Sequence, residues 1–195
     1  MIFKTRKISK NNIILSIYYR FGNLVENNHC STNVVQNLLM AKKFTDEEYY
    51  KNLPKKQVGN AVLFFNSGGE LLILKPNYKN AWLVPGGSND NDESPLKSAL
   101  REVKEEIGLE ISEIKLVGVY YQAKKEFQID SLKFIFSGGI LSEKQISEIK
   151  LETEELDEYR FVSLEKALEM LSPSLQKSIP KSIEAMNHNT VAYIE

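Results

Sequence analysis

The 195-residue chain contains 42% hydrophobic and 26% charged residues, which is typical of a globular protein with an apolar core. Its formal net charge of -1 argues against nonspecific binding to nucleic acid or to an anionic membrane surface, because both depend on a basic surplus or patch. The single cysteine, Cys30, excludes an internal disulfide and is typical of a reducing compartment, so we predict a cytoplasmic protein. With only two histidines beside it, a zinc site of the usual Cys and His type is also excluded.

Residues 1–48 form a predicted N-terminal extension of unknown role, ahead of a predicted main domain at residues 49–195. Seven asparagines lie between positions 11 and 37, and no long periodic pattern develops there. The apolar segments "IILSIYY" and "VVQNLLM" suit a strand and a helix packed on the main domain or on a second subunit, and a loosely ordered arm is equally open. Because the apolar patch is short and lacks a small-residue cleavage site, we expect neither a signal peptide nor a membrane span.

The main domain begins with a predicted β-hairpin. "VGNAVLFF" and "ELLILK" are rich in branched and aromatic residues, and the intervening "NSGG" suits a tight turn. A short strand "WLV" is predicted next, ending at Pro85 and the two following glycines. Further strands are predicted at "KLVGVYY", "SLKFIFSGG" and "YRFV". Helices are predicted at "LEKALEML" and from Ser174 to Met186, the latter interrupted by Pro180. The order of the predicted strands and helices along the chain indicates an α/β protein with helices on the faces of a mixed sheet.

A central helix is predicted between a start signal and a stop signal. Ser94 can cap it, Pro95 suits its first position, and Gly108 suits its end. Five apolar residues recur at helical spacing and predict its core face: Leu96, Ala99, Leu100, Val103 and Ile107.

Three carboxylates lie beside this face, at Glu102, Glu105 and Glu106. Like charges at this spacing on a helix repel by roughly 0.2–0.5 kcal/mol per pair, and Arg101 can neutralise only one of them. A hard divalent cation such as Mg²⁺ would offset the repulsion, because it prefers oxygen ligands. Taken alone, the cluster more often represents a solvated helix face.

The surrounding residues carry a family resemblance. "GSNDNDESPLKSALREVKEEIGL" has Gly87, Glu93, Arg101-Glu102-Val103, Glu105-Glu106 and Gly108-Leu109 at fixed spacing, nine defined positions over 23 residues. This pattern resembles at every defined position the signature of the Nudix hydrolases, which cut nucleoside diphosphates linked to another moiety. The resemblance covers about residues 56–172. It implies an α/β/α sandwich around a mixed β-sheet.

The resemblance also implies roles for these residues. Mg²⁺ or Mn²⁺ would be bound by Glu102, Glu105, Glu106 and the carbonyl of Gly87. Arg101 would orient a neighbouring carboxylate, and Glu93 would fix the loop through Arg101. The family's additional acidic residue varies in place; Glu155 is the predicted ligand here, and the alternatives are Glu152, Glu154, Asp130 and Glu126.

The expected reaction is attack of water on a diphosphate link, in which Glu102 or a carboxylate outside the motif accepts the proton. The expected partner is a small nucleoside diphosphate derivative, such as ADP-ribose, a sugar nucleotide or a (deoxy)nucleoside triphosphate. Lys75, Tyr78 and Trp82 are the predicted substrate contacts, with Lys79 beside them. The sequence leaves a homodimer open by analogy with the family.

The sequence also bears on functions other than hydrolysis. A nucleotide sensor without turnover on the same fold is the main alternative, although an intact motif argues against it. An isomerase or a decapping activity is not excluded by the fold. A calcium loop at "DNDES" is excluded because Arg101 stands at the twelfth position from Asp90, where a Glu is needed.

Overall fold

A computed structural model describes residues 45–124 and 129–195. These residues fall into two compact units, with the border between Leu53 and Pro54. In the first unit, helix α1 spans Asp46–Lys51 and begins with a capping box between Thr45 and Glu48. The second unit contains six strands and four helices among its described residues, and it is described below by itself.

The second unit is built on one mixed sheet. Its strands are β1 (Gln57–Phe65), β2 (Leu71–Pro76), β3 (Lys115–Gln122), β4 (Ser131–Ile140), β5 (Leu156–Val162) and β6 (Ala192–Ile194), in the spatial order β5-β2-β1-β4-β3-β6. The pairs β1–β4 and β3–β6 are parallel, and the other neighbouring pairs are antiparallel. The predicted hairpin is confirmed, because β1 and β2 pair antiparallel with Phe65 opposite Leu71.

Helices cover both faces of the sheet. They are α2 (Pro95–Ile107), α3 (Glu143–Ser147), α4 (Leu164–Met170) and α5 (Pro173–Asn187). Residues of β1 alternate between two cores: Val62 and Phe64 pack with α2, whereas Ala61 and Leu63 pack with α4 and α5. The predicted α/β/α sandwich around a mixed sheet is therefore confirmed. Among the described residues, no helix combines the length and the apolar character needed to cross a bilayer.

Three local predictions were wrong. The segment "WLV" does not form a strand of the sheet: Leu83 and Leu74 make an isolated bridge through two backbone hydrogen bonds of 2.8 and 2.9 Å. Trp82 makes a second isolated bridge, to Leu171. Pairing with β2 ends at Leu83, because the carbonyl of Pro85 instead accepts the N–H of Val62 on β1.

The last helix is not interrupted at Pro180, since α5 runs through it from Pro173 to Asn187. Ile179 and Ser182, on either side of Pro180, are buried, so packing on the sheet outweighs the hydrogen bond that proline cannot donate. Leu96 is not a core residue, because 44% of it is exposed. Helical periodicity gives the angle of a residue around the axis, but Leu96 lies in the first turn of α2, beyond the apolar contacts of Ala99 and Val103.

Candidate active site

Helix α2 has the predicted limits. The hydroxyl of Ser94 accepts a hydrogen bond from the N–H of Lys97 at 3.3 Å, and Pro95 occupies the first turn. The helix ends at Gly108, whose φ of 72° lies in the left-handed region that favours glycine. Burial of Val103 and Ile107 against the sheet then fixes the direction in which the carboxylates of α2 project.

The turn from Pro85 to Ser88 lies directly on β1. The carbonyl of Gly87 accepts the N–H of Asn60 at 2.8 Å, and the carbonyl of Pro85 accepts the N–H of Val62 at 2.7 Å. At Gly86 φ is 136°, and an added Cβ would lie 2.5 Å from the carbonyl oxygen of Asn60. Only glycine fits there, so the sequence of this turn is dictated by its close approach to the sheet.

The carboxylates of α2 reach this turn. Glu106 accepts a hydrogen bond from the N–H of Gly86 at 2.7 Å. The carboxylate of Glu102 lies so close to Gly87 that an added Cβ would meet one of its oxygens at 2.5 Å. Glu105 lies nearer the solvent, with 57% of its side chain exposed against 17% for Glu102. The carboxylate oxygens of α2 and the backbone carbonyls of the turn therefore lie next to one another.

Burial and mutual repulsion change the pKa values of Glu102 and Glu106. Burial is the main cause that raises the pKa of Glu106 to about 8, and the charges of Glu102, Glu155 and Glu105 raise it further, against the hydrogen bond from Gly86. Burial also raises the pKa of Glu102, although Arg101 opposes that shift. The two carboxyls are therefore arranged so that they resist being ionised together.

Arg101 connects the acidic groups. Its guanidinium donates two hydrogen bonds to Glu93, at 3.1 and 3.0 Å, in the bidentate geometry that suits a carboxylate. The same group donates to Glu102 at 3.1 Å and to Glu105 at 2.8 Å. Arg101 thereby links the loop before the helix to the carboxylates on the helix.

A buried polar pair supports the same arrangement from the sheet side. The side-chain amide of Asn60 on β1 donates to the hydroxyl of Ser98 on α2 at 2.8 Å, and its oxygen accepts the N–H of Gly87 at 3.4 Å. Arg101 also donates to Ser98 at 3.3 Å. Sequence reasoning missed Asn60 and Ser98. A polar residue inside the apolar run "VGNAVLFF" was the available signal, since a buried amide needs partners.

The donor set fits a hard divalent cation. Carboxylate oxygens and a backbone carbonyl are the ligands that Mg²⁺ and Mn²⁺ prefer, and a cation would offset the burial and the like charges that raise the pKa of Glu106. As the side chains of the described residues stand, no three acidic, histidine or cysteine groups converge on one point. Arg101 holds Glu102 and Glu105, while the N–H of Gly86 holds Glu106, so binding requires rotation of these side chains.

Of the acidic residues outside the motif, Glu155 lies near enough to the site for its charge to act on the pKa of Glu102 and of Glu106. The carboxylate of Glu152 accepts the N–H of Glu154 at 3.1 Å within its own loop. Asp130 forms an ion pair with Lys56 and accepts the Tyr121 hydroxyl at 3.0 Å. Glu126 lies outside the described residues.

The predicted substrate residues have different surroundings. Lys75 donates to the carbonyls of Lys79 and Asn80 at 2.7 and 3.0 Å, which holds the loop after β2. Trp82 is 8% exposed within the core, and the guanidinium of Arg160 lies 4.9 Å from its ring centre, so a base could stack on it only by displacing Arg160. Tyr78 is 64% exposed and lines a cleft.

This cleft has a volume of about 390 Å³ and borders the turn at Gly86 and Gly87. Its floor is formed by β1 and β4, and its walls include Tyr78 and Lys79. The carboxylates of Glu102 and Glu106 reach the same turn, so the cleft places space for a ligand next to them.

Comparison with known proteins identifies the family of this chain. The family model described as the NUDIX domain matches residues 55–182. An uncharacterized Nudix hydrolase of Listeria innocua is 34% identical over 119 residues, which cover 58% of this chain and 66% of the relative. The RNA pyrophosphohydrolase of Marinomonas sp. (strain MWYL1) is 35% identical over 57 residues, or 29% of this chain. That match spans only 35% of the relative's length.

Among solved structures, the MutT protein of Methanosarcina mazei Go1 superposes with a TM-score of 0.56 at 26% identity, covering 70% of this chain and 96% of that protein. A mixed sheet between helices, with an acidic helix beside a glycine turn, defines the Nudix class of proteins. This chain belongs to the NUDIX-domain family.

Proposed function

We propose that the chain is a metal-dependent hydrolase that cleaves the diphosphate link of a nucleoside diphosphate derivative. The observation that carries this proposal is that the carboxylates of Glu102 and Glu106 both lie against the turn at Gly86 and Gly87, beside a cleft of about 390 Å³. Burial and neighbouring charges raise the pKa of Glu102 and Glu106, which is unfavourable on a solvated surface but suits a site that binds a divalent cation.

The residues that would hold Mg²⁺ or Mn²⁺ are Glu102, Glu105, Glu106, Glu155 and the carbonyl of Gly87. When bound, such an ion lowers the pKa of a coordinated water and offsets charge on the phosphoryl oxygens. The carbonyl of Gly87 already accepts the N–H of Asn60, and it keeps a second lone pair that faces away from that bond.

Residues of the chain itself are proposed to accept the proton and to position the reacting groups. Glu102 is the proposed proton acceptor: burial raises its pKa toward the range where a carboxylate can take a proton from water, and Arg101 keeps it oriented. Glu93 acts through Arg101 as a positioning residue, since both of its oxygens accept from that guanidinium. Hydrogen bonds from Asn60 and Val62 fix the backbone of the turn on β1, so the carbonyl of Gly87 keeps its position beside the cleft.

A small-molecule substrate suits the chain better than RNA. The net charge of -1 supplies no surplus to bind a polyanion, whereas a cleft of this volume suits a nucleotide. ADP-ribose, a sugar nucleotide and a (deoxy)nucleoside triphosphate are the proposed types. The relative named RNA pyrophosphohydrolase supports hydrolysis of a pyrophosphate link as the type of reaction.

The test is an assay of the full chain with Mg²⁺ and a panel of ADP-ribose, sugar nucleotides, dinucleotide polyphosphates and nucleoside triphosphates, with detection of phosphate-containing products. We expect turnover that Glu106→Gln abolishes. Glu110→Gln is the matched control, because Glu110 is an exposed glutamate just beyond the same helix that pairs only with Lys104 among the described residues. Tight binding without turnover would contradict hydrolysis and favour the nucleotide sensor.

A further inference from the structure

Two lysines face the cleft away from the carboxylates of α2. Lys133 on β4 lies opposite Gly59 on β1, and both line the cleft. Paired residues of neighbouring strands project from the same face of a sheet, so Lys133 projects on the face of Gly59, where an added Cβ would lie 3.0 Å from the carbonyl oxygen of Gly87. Lys79 approaches the same cleft from the loop after β2, and its ammonium lies 5.1 Å from the ring centre of Tyr78.

Among the described residues, neither of these two lysines has a carboxylate in direct contact. No carboxylate of the described residues forms an ion pair or a hydrogen bond with Lys133 or Lys79. Burial lowers the pKa of Lys133, and the charge of Lys79 lowers it further. Burial also lowers the pKa of Lys79, and Glu106 only partly offsets this. An anionic group between the two ammonium groups would stabilise both of them.

We propose that Lys79 and Lys133 form a second anion subsite, which binds a phosphoryl group of the substrate other than the diphosphate that is cleaved. The remaining walls favour a phosphoryl group, because Gln57, Ser131 and Gln122 offer neutral hydrogen-bond donors without further charge. This inference rests on the proposed function, and it adds that the preferred substrate carries an additional phosphoryl group.

The positions of the carboxylates, the turn and the two lysines indicate how the subsite would affect substrate specificity. The turn at Gly86 and Gly87 separates the carboxylates from the cleft, so the scissile diphosphate would lie at the turn and the added phosphoryl group further along the cleft floor. A substrate that lacks this group leaves two partly buried cations unpaired. The enzyme would therefore discriminate against substrates without the added phosphoryl group, because they leave the two lysine charges unpaired.

Paired substrates test the subsite by kinetics. Suitable pairs differ by one phosphoryl group: NADH and NADPH, ADP-ribose and its 2′-phosphate, and dGDP and dGTP. For a hydrolysed pair, we expect Lys133→Met to lower kcat/KM of the phosphorylated member by about tenfold or more, and that of the other member by less than about threefold. Lys133→Arg should retain most of the preference. Lys181→Met, an exposed lysine on α5, is the matched control. Equal losses for both members would overturn the proposal.

A second measurement does not depend on turnover. The full chain is treated with an amine-acetylating reagent, and the rate at each lysine is followed by mass spectrometry with each nucleotide of the pairs and with inorganic pyrophosphate. We expect a phosphorylated member to slow acetylation of Lys133 and Lys79 at least about threefold more than its partner, with Lys181 unchanged. Equal protection, or none, would overturn the subsite. Protection without hydrolysis of any nucleotide would retain the subsite and reject the proposed function.

Discussion

The carboxylate of Glu106 accepts the backbone N–H of Gly86 at 2.7 Å, within reach of the charges of Glu102, Glu155 and Glu105. This hydrogen bond favours the ionised form, yet burial and neighbouring charges prevail and raise the pKa of Glu106 to about 8. Without a cation, Glu106 therefore holds a proton at neutral pH.

Binding of Mg²⁺ should release that proton. At pH 7 we expect close to one proton per ion bound, and an apparent affinity that increases with pH up to about 8 and then levels off. Calorimetric titration in buffers of different ionisation enthalpy measures the number of protons released. Glu106→Gln should release none from this position. Equal proton release by the variant would contradict the assignment.

The same pKa gives the metal-free protein a defined pH dependence. Glu106 titrates near 4.3 when unfolded and near 8 when folded, so the folded state binds the extra proton between these values. The free energy of unfolding should therefore decrease as pH rises through this window. Glu106→Gln should remove about 2 kcal/mol of that decrease, less than the full shift because the side chain is only partly buried. Urea unfolding with EDTA at pH 5 and pH 8 measures the difference, and parallel curves for both proteins would refute it.

Arg101→Lys should weaken both the fold and the activity. Lysine keeps the charge but cannot make the bidentate contact with Glu93, and we expect a loss of about 1.5–3 kcal/mol together with a lower kcat. Lys104→Met is the matched control, because its ion pair with Glu110 is exposed to solvent and should contribute little to stability. Chemical denaturation and steady-state kinetics measure both effects. A variant with unchanged kcat would show that Arg101 has no positioning role.

Asn60→Leu should cost about 1–3 kcal/mol, because it removes the shorter of the two hydrogen bonds that the buried hydroxyl of Ser98 accepts, and also the amide oxygen that accepts the N–H of Gly87. Ser178→Ala offers the opposite case: the hydroxyl of Ser178 is buried with no partner among the described residues, so its removal should be neutral or stabilising. Thermal unfolding of the two variants compares a satisfied with an unsatisfied buried polar group. Similar losses from both would contradict the proposed contribution of the Asn60 contact.

The two glycines of the turn should differ in their response to alanine. Gly86→Ala places a methyl group 2.5 Å from backbone at a φ of 136°, so we expect a destabilised fold. Gly87→Ala meets only the end of the Glu102 side chain, which can rotate away, so we expect a stable protein with weakened metal binding. Melting temperature and Mg²⁺ affinity separate the two effects. A stable Gly86→Ala variant would contradict the strain.

Much of the fold was accessible from local pattern. Strands β1 and β2, helix α2 and its caps at Ser94 and Gly108 all lie where the sequence predicts them. These features depend on residues a few positions apart, so the spacing of residue types along the sequence predicts them directly. The errors at Leu96, Pro180 and "WLV" have a different origin, because each depends on what another part of the chain packs against.

By itself, the sequence determined the family and the acidic helix and predicted the proposed chemistry, because Gly87 and the carboxylates of α2 are encoded within 23 consecutive residues. Only the tertiary structure decided which groups surround them. Asn60 and Lys133 come from separate strands, and Glu155 comes from a loop before β5, so their approach depends on strand order and helix packing. Burial, which raises the pKa of Glu106 and leaves two lysines facing an open cleft, is likewise a property of the packed chain.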